Sequence, residues 1–74
     1  MATRTYTIFA EPADNGKSWG AWVPDLAVYA TGPTRDEAIG AAGSAARTNL
    51  ALRSELGRDI PAPTTAAATL TVAD

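Results

Sequence analysis

Cysteine and histidine are both absent from this sequence of 74 residues, and the two absences exclude much of the chemistry a small domain can carry. Without cysteine no disulfide can staple the fold, and without either residue the soft metal sites and the Ser/His/Asp and Cys/His nucleophile systems are gone. No glycine-rich phosphate loop is present, because Gly40 and Gly43 lack the preceding strand that such a loop needs. Basic runs are missing too: Lys and Arg number 6 against 8 Asp and Glu, for a net charge of −2. A surface that tracks phosphates is therefore not expected, nor is direct nucleic-acid binding. Arg47, Arg53 and Arg58 read as a solvated outer helix surface. No apolar run approaches the roughly 18 to 20 residues of a membrane span, and Met1 to Tyr6 is too polar for a signal peptide. The expectation is a cytoplasmic protein with no membrane partner and no cofactor.

Length sets the remaining bound. One compact core fits in 74 residues and a second module does not. Domains near this size bury only roughly 60% of the surface their unfolded chain exposes, so a fold without disulfide or metal gains by association. A homo-oligomer is expected on that ground.

What the sequence does contain is a clear order of elements. Arg4 to Glu11 is rich in β-branched and aromatic residues, with Tyr6, Ile8 and Ala10 on one face and Thr5, Thr7 and Phe9 on the other, which predicts a first strand ended by Pro12. Asp14-Asn15-Gly16 supplies a hairpin loop. Ser18 to Val23 is a second strand with Trp19, Ala21 and Val23 opposite Trp22, and it stops at Pro24-Asp25. Leu26 to Thr31 is a shorter third strand closed by Gly32-Pro33, and an antiparallel meander is the simplest assembly.

Thr34-Arg35-Asp36-Glu37 matches a capping box and opens a long helix, predicted from about Arg35 to Leu56 with Gly57 as its left-handed stop. Its inner stripe is Ile39, Ala42, Ala46 and Leu50, extending toward Arg53, flanked by Ala38, Ala41, Ala45, Leu52 and Leu56. Gly40 and Gly43, which weaken a helix, are expected to be tolerated for close packing on the sheet. Residues 60–64, with Pro61 and Pro63, form an extended spacer. Thr64 to Ala73 alternates Thr69, Thr71 and Ala73 with Leu70 and Val72, the pattern of a fourth strand at a sheet edge or against another chain. Disorder is expected at residues 1–3 and 74.

The joint spacing of Val23-Pro24-Asp25-Leu26, Gly32 with Thr34 and Glu37-Ala38, and Ile60-Pro61 with Pro63 resembles the HicB-like antitoxin domain over about Tyr6 to Pro63. The resemblance implies a fold class of α+β, a truncated ribonuclease-H-like βββαβ arrangement: a three-stranded antiparallel meander, one long helix and a C-terminal edge strand parallel to the first. Pro24, Asp25, Gly32, Thr34 and Glu37 are its structural motif. It also implies a partner, a HicA-type toxin that is small, basic and RNA-cleaving, whose catalytic surface the antitoxin masks. Ala27-Val28 stands where the family has Pro-Gly, and the DNA-binding module common in these antitoxins has no counterpart after this domain, so operator binding is not expected of these 74 residues. A stand-alone homo-oligomeric relative with no toxin is the alternative.

By the family pattern Trp19, with Ala21 and Val23, lies under the helix. Trp22, three residues on, then points to the open face with Phe9 and Tyr29. That trio is the candidate surface for partner binding or self-association, since tryptophan and tyrosine dominate binding hot spots; the competing account is that the shortened third strand twists the sheet and buries the three locally. Glu11, Asp25, Asp36 and Glu37 are the acids a magnesium-dependent nuclease would use. Simpler roles account for each, namely helix-start electrostatics for Asp36 and Glu37, a turn for Asp25 and a strand end for Glu11. Catalysis is not expected, and likeness of fold alone licenses none.

Overall fold

Apolar alternation, two tight turns and a capped alanine-rich helix assemble into one α+β unit. The computed structural model describes residues 3–73. Three strands, β1 (Phe9–Ala13), β2 (Ser18–Val23) and β3 (Val28–Gly32), form an antiparallel sheet in the order β1-β2-β3, followed by one helix, α1 (Arg35–Glu55). The expected disorder at residues 1–2 and 74 lies outside the described residues; Thr3 is exposed and has no regular structure.

The β1–β2 turn is built from three consecutive left-handed residues, Asp14, Asn15 and Gly16, with φ of 51°, 55° and 82°. Asp, Asn and Gly are the residues that enter this region at least cost, so the sequence specifies the reversal locally. The β2–β3 connection is a tight turn over Pro24–Leu26 that ends at Ala27, itself left-handed at φ 53°. Alanine there carries strain that glycine would not. The pairing beyond it is regular, running from Val23 opposite Val28 to Trp19 opposite Gly32.

The first and third strands differ in their bounds from expectation, and proline accounts for both ends of the first. The sequence pattern predicts a first strand over Arg4 to Glu11 with Pro12 as its stop, yet the ladder spans Phe9–Ala13 and includes Pro12, paired with Trp19. A proline is tolerated there because β1 has a neighbour on one side only. At the other end Phe9 stands opposite Trp22, so the ladder would next need Val23 and then Pro24, where β2 turns away. Residues 3–8 therefore continue without a ladder, although Tyr6, Ile8 and Ala10 keep the predicted inward face. The third strand begins at Val28, and Leu26 lies in the turn, almost fully buried.

The helix begins as its sequence dictates. The Thr34 side chain accepts a hydrogen bond from the Glu37 amide at 3.2 Å, with Asp36 and Glu37 in the first turn where the helix dipole favours negative charge. It ends in a Schellman motif: Gly57 at φ 67° lets the Arg58 amide reach the Arg53 carbonyl at 2.9 Å and the Gly57 amide reach the Ser54 carbonyl at 3.2 Å.

Small residues set how near the helix lies to the sheet. Ala21 of β2 meets Ala38 and Ala42 of α1, all three with no exposed surface, and Ile8, Ala10, Trp19, Ala30 and Ile39 pack around them. A second cluster, Val23, Leu26 and Val28, is closed by Tyr6, Ile8, Ala45, Ala46 and Leu50. Leu52 and Leu56, expected beside the inner stripe, are instead exposed by more than half, because the helix has run past the end of the sheet by its last turn. The close approach also falls at a different glycine from those expected. A Cβ on Gly32 would come within 2.7 Å of the Ala38 backbone nitrogen, whereas Gly40 has nothing within 4 Å and Gly43 only the Arg47 guanidinium at 3.7 Å.

The expected C-terminal edge strand does not form, and the described residues after α1 hold no regular secondary structure. Pro61 and Pro63 have no amide to donate, and the amides of Thr64 and Thr65 are taken by the Asp25 carboxylate, so no ladder can run through this stretch. A parallel run beside the N-terminal segment survives in another form: the Tyr6 hydroxyl donates to the Pro61 carbonyl and the Thr7 hydroxyl to the Thr65 carbonyl.

The same substitution should have opposite signs at two glycines. Gly32→Ala should destabilise by about 1 to 3 kcal/mol, since its methyl meets helix backbone that cannot yield cheaply. Gly40→Ala should stabilise by about 1 kcal/mol by removing a helix-interior glycine in open space. Thermal or urea unfolding of the two variants beside the parent chain measures both, and equal signs would refute the close-packing account of Gly32.

Candidate functional site

The sheet has two faces, and α1 covers one of them. Alternation along β2 sends Trp19, Ala21 and Val23 to the helix side and leaves Trp22 on the other. Register then brings the three predicted aromatics into one row, since Phe9 of β1 stands opposite Trp22 and Trp22 stands opposite Tyr29 of β3. The Phe9 and Trp22 rings lie 5.6 Å apart between centroids with their planes tilted by 35°, within the range of favourable aromatic pairs. Both are half-buried, and of the three Tyr29 alone is exposed, at 63%.

Gly20 shapes the row. It pairs with Glu11 on one side and Thr31 on the other, and a Cβ there would meet the Tyr29 hydroxyl oxygen at 2.5 Å and the ring Cζ at 3.1 Å. The Tyr29 ring therefore lies diagonally over a position with no side chain, which fixes where its phenol end sits. Sequence reading found the three aromatics but not Gly20. The signal was present as a glycine two residues before an open-face tryptophan in a strand, which marks close approach by a neighbouring group.

The motif residues divide by role. Gly32 and Thr34 seat the start of α1, as does the Glu37 amide, while Pro24 begins the tight turn that Leu26 anchors in the core. Asp25 does more than turn the chain. Its Oδ1 accepts from the Thr64 and Thr65 hydroxyls at 3.0 and 2.8 Å, and its Oδ2 accepts from the Thr64 and Thr65 amides, each at 3.1 Å. One carboxylate thus clasps two successive residues some forty positions away. The Thr65 amide and then its hydroxyl hold Asp25 below the ordinary carboxylate value of 3.8; desolvation opposes them, and the Thr64 hydroxyl and amide add lesser contributions in the same downward direction. The alternating pattern of the tail places Thr64 and Thr65 at the start of a strand. The clue to their actual role is that they carry the first amides after Pro61 and Pro63, along with two hydroxyls.

The four acids weighed for metal chemistry are distributed around the fold: Glu11 on the open face of β1, Asp25 in the clasp, and Asp36 and Glu37 at the start of α1. Among the described residues no three acids gather as a metal-binding group, and no pocket opens. Arg53 turns back to its own element and the chain that follows, donating to the Asn49 side chain at 2.7 Å and to the Asp59 carbonyl at 3.4 Å. No helix is long and apolar enough to cross a membrane among the described residues.

No family model, no curated protein and no solved structure matches this chain.

The clasp makes a prediction in pH. Because folding lowers the pKa of Asp25, the stability it contributes is complete above the unfolded carboxylate value near 3.8 and declines as pH falls toward the lower folded value. Asp25→Asn should therefore be less stable than the parent chain at pH 7, with the gap closing below about pH 3.8. Urea unfolding of both chains from pH 7 to pH 2.5 reads the gap. A gap independent of pH would mean that the charge on Asp25 is not what holds Thr64 and Thr65.

Proposed function

We propose that this chain is a non-catalytic protein-binding domain, a HicB-like antitoxin that neutralises a HicA-type RNA-cleaving toxin by masking it. The observation that carries the binding half of the reading is the open aromatic row: Phe9 and Trp22 pack together, and Tyr29 stands beside them 63% exposed on the face away from the helix. Aromatic residues aligned on rigid strands lose little freedom when covered and are the usual anchors of protein interfaces. The net charge of −2 suits a basic partner, steering encounter by opposite charge while the aromatics supply affinity. The antitoxin half rests on the motif spacing of Val23-Pro24-Asp25-Leu26, Gly32, Thr34 and Glu37-Ala38.

A second reading is favoured by a different observation. Leu70 and Val72 are 87% and 67% exposed on the C-terminal stretch, an arrangement suited to a stand-alone homo-oligomer without a toxin.

Co-expression with a small basic protein encoded beside this chain, followed by copurification, tests the antitoxin reading. The complex should form and should suppress RNA cleavage by the partner. Tyr29→Asp should weaken it by at least about 30-fold, the effect of losing a hot spot worth roughly 2 kcal/mol. No copurifying partner, or a complex indifferent to Tyr29→Asp, would count against toxin masking by this face.

A further inference from the structure

The unabsorbed features of the molecule lie at two places, the stretch that follows the clasp and the outer edge of β3. Residues 66–73 are exposed at every position and have no regular structure. The long dimension of the molecule is 49 Å, well beyond the roughly 32 Å of the 21-residue helix, and its radius of gyration of 14.3 Å exceeds the roughly 11 Å of a compact chain of this length. The stretch is therefore an arm that projects from the body. Its root is fixed, since Asp25 holds both amides and both hydroxyls of Thr64 and Thr65, and Thr7 binds the Thr65 carbonyl. Its end alternates Thr69, Leu70, Thr71, Val72 and Ala73, a strand pattern with its apolar residues uncovered.

The sheet offers two edges to such an arm, and they are not equivalent. The β1 edge contains Pro12, which cannot donate and blunts pairing. The β3 edge (Val28–Gly32) has no proline, has no strand beyond it in the sheet, and is five residues long, the length of 69–73. Within one chain the arm leaves that edge empty.

We infer that the arm of one copy adds as a fourth strand to the β3 edge of a second copy, and reciprocally, so that two chains form a dimer by exchanging arms. The inference rests on the homo-oligomer reading and specifies its interface. Main-chain hydrogen bonds to β3 supply the pairing, and Leu70 and Val72, two residues apart and so on one side of the added strand, are covered by the partner's body. Two five-residue arms fall short of the roughly 1,600 Å² of a standard stable interface, so the dimer dissociates on dilution.

Sedimentation equilibrium of the full chain from micromolar to millimolar concentration is the first measurement. It should show a monomer–dimer equilibrium, and the double variant L70N/V72N should weaken dimerisation by at least 30-fold while leaving the far-ultraviolet circular dichroism of the monomer unchanged. Tyr29→Asp should weaken the dimer less than L70N/V72N does, because Tyr29 lies on β3 but its side chain is on the open face. Hydrogen exchange supplies a readout that needs no variant: alternate amides of β3 and of residues 69–73 should become protected together as concentration rises. A dimer lost in Tyr29→Asp but kept in L70N/V72N would overturn arm exchange and leave the homo-oligomer reading standing on the aromatic face. A strict monomer at millimolar concentration would overturn both.

Discussion

The close approach of an alanine helix to the sheet is the constraint on which everything else in this fold depends. Ala21, Ala38 and Ala42 meet with no exposed surface, and the backbone at Glu37 and Ala38 presses on Gly32, where a methyl group has no room. Contact this close gives good packing but little apolar volume: the buried core is three alanines, two valines and one leucine. Larger side chains must then close the core from its margins, and they do so in two ways. Trp19 and Ile39 flank the alanine contact, while Tyr6, Ile8 and Leu50 seal the valine and leucine cluster. Tyr6 and Ile8 belong to a segment with no strand partner, so the seal needs another means of being held.

The clasp on Asp25 provides that means. Pro61 and Pro63 deprive the chain after α1 of the amides a sheet ladder requires, and a carboxylate with four acceptor sites gathers the next two amides and their hydroxyls at once. With Tyr6 bound to the Pro61 carbonyl and Thr7 to the Thr65 carbonyl, the N-terminal segment is tied to a strap running beside it. A parallel strand pair is thereby replaced by side-chain hydrogen bonds in the same place. The cost is that these bonds are exposed or only partly buried, and each is correspondingly weaker than its counterpart in a protected ladder.

Much of this was legible in the sequence wherever a local rule decided the outcome. The left-handed Asp14-Asn15-Gly16 turn, the Thr34 cap, the Gly57 stop and the alternation that separates Trp19 from Trp22 each depend on a few neighbouring residues. What escaped depends on partners distant in the chain. Pro12 could be read as a strand stop because nothing local says that β1 is an edge. Asp25 looked like a turn residue, and Thr64 and Thr65 like the start of a strand, because the bonds joining them span about forty positions. Gly32 and not Gly40 is the point of close approach, a matter of where the helix crosses the sheet rather than of helix propensity. For the aromatic row the alternation was visible, but its exposure followed only once the β2–β3 register proved continuous and carried Tyr29 beside Trp22.

The two uncovered surfaces are consequences of the same economy of volume. A helix of alanines covers one face of a three-stranded sheet and has nothing left for the other, so Phe9 and Trp22 shield each other and Tyr29 rests on Gly20 for want of a second layer. A strap whose bonds end at Thr65 likewise leaves Leu70 and Val72 uncovered beyond it. Burial of either surface would add apolar area to a core that is short of it, which is a physical reason for a chain of this size to associate rather than stay alone. The aromatic row reaches β3 through Tyr29, so a partner on the row and a second copy pairing with the β3 backbone would meet at that strand.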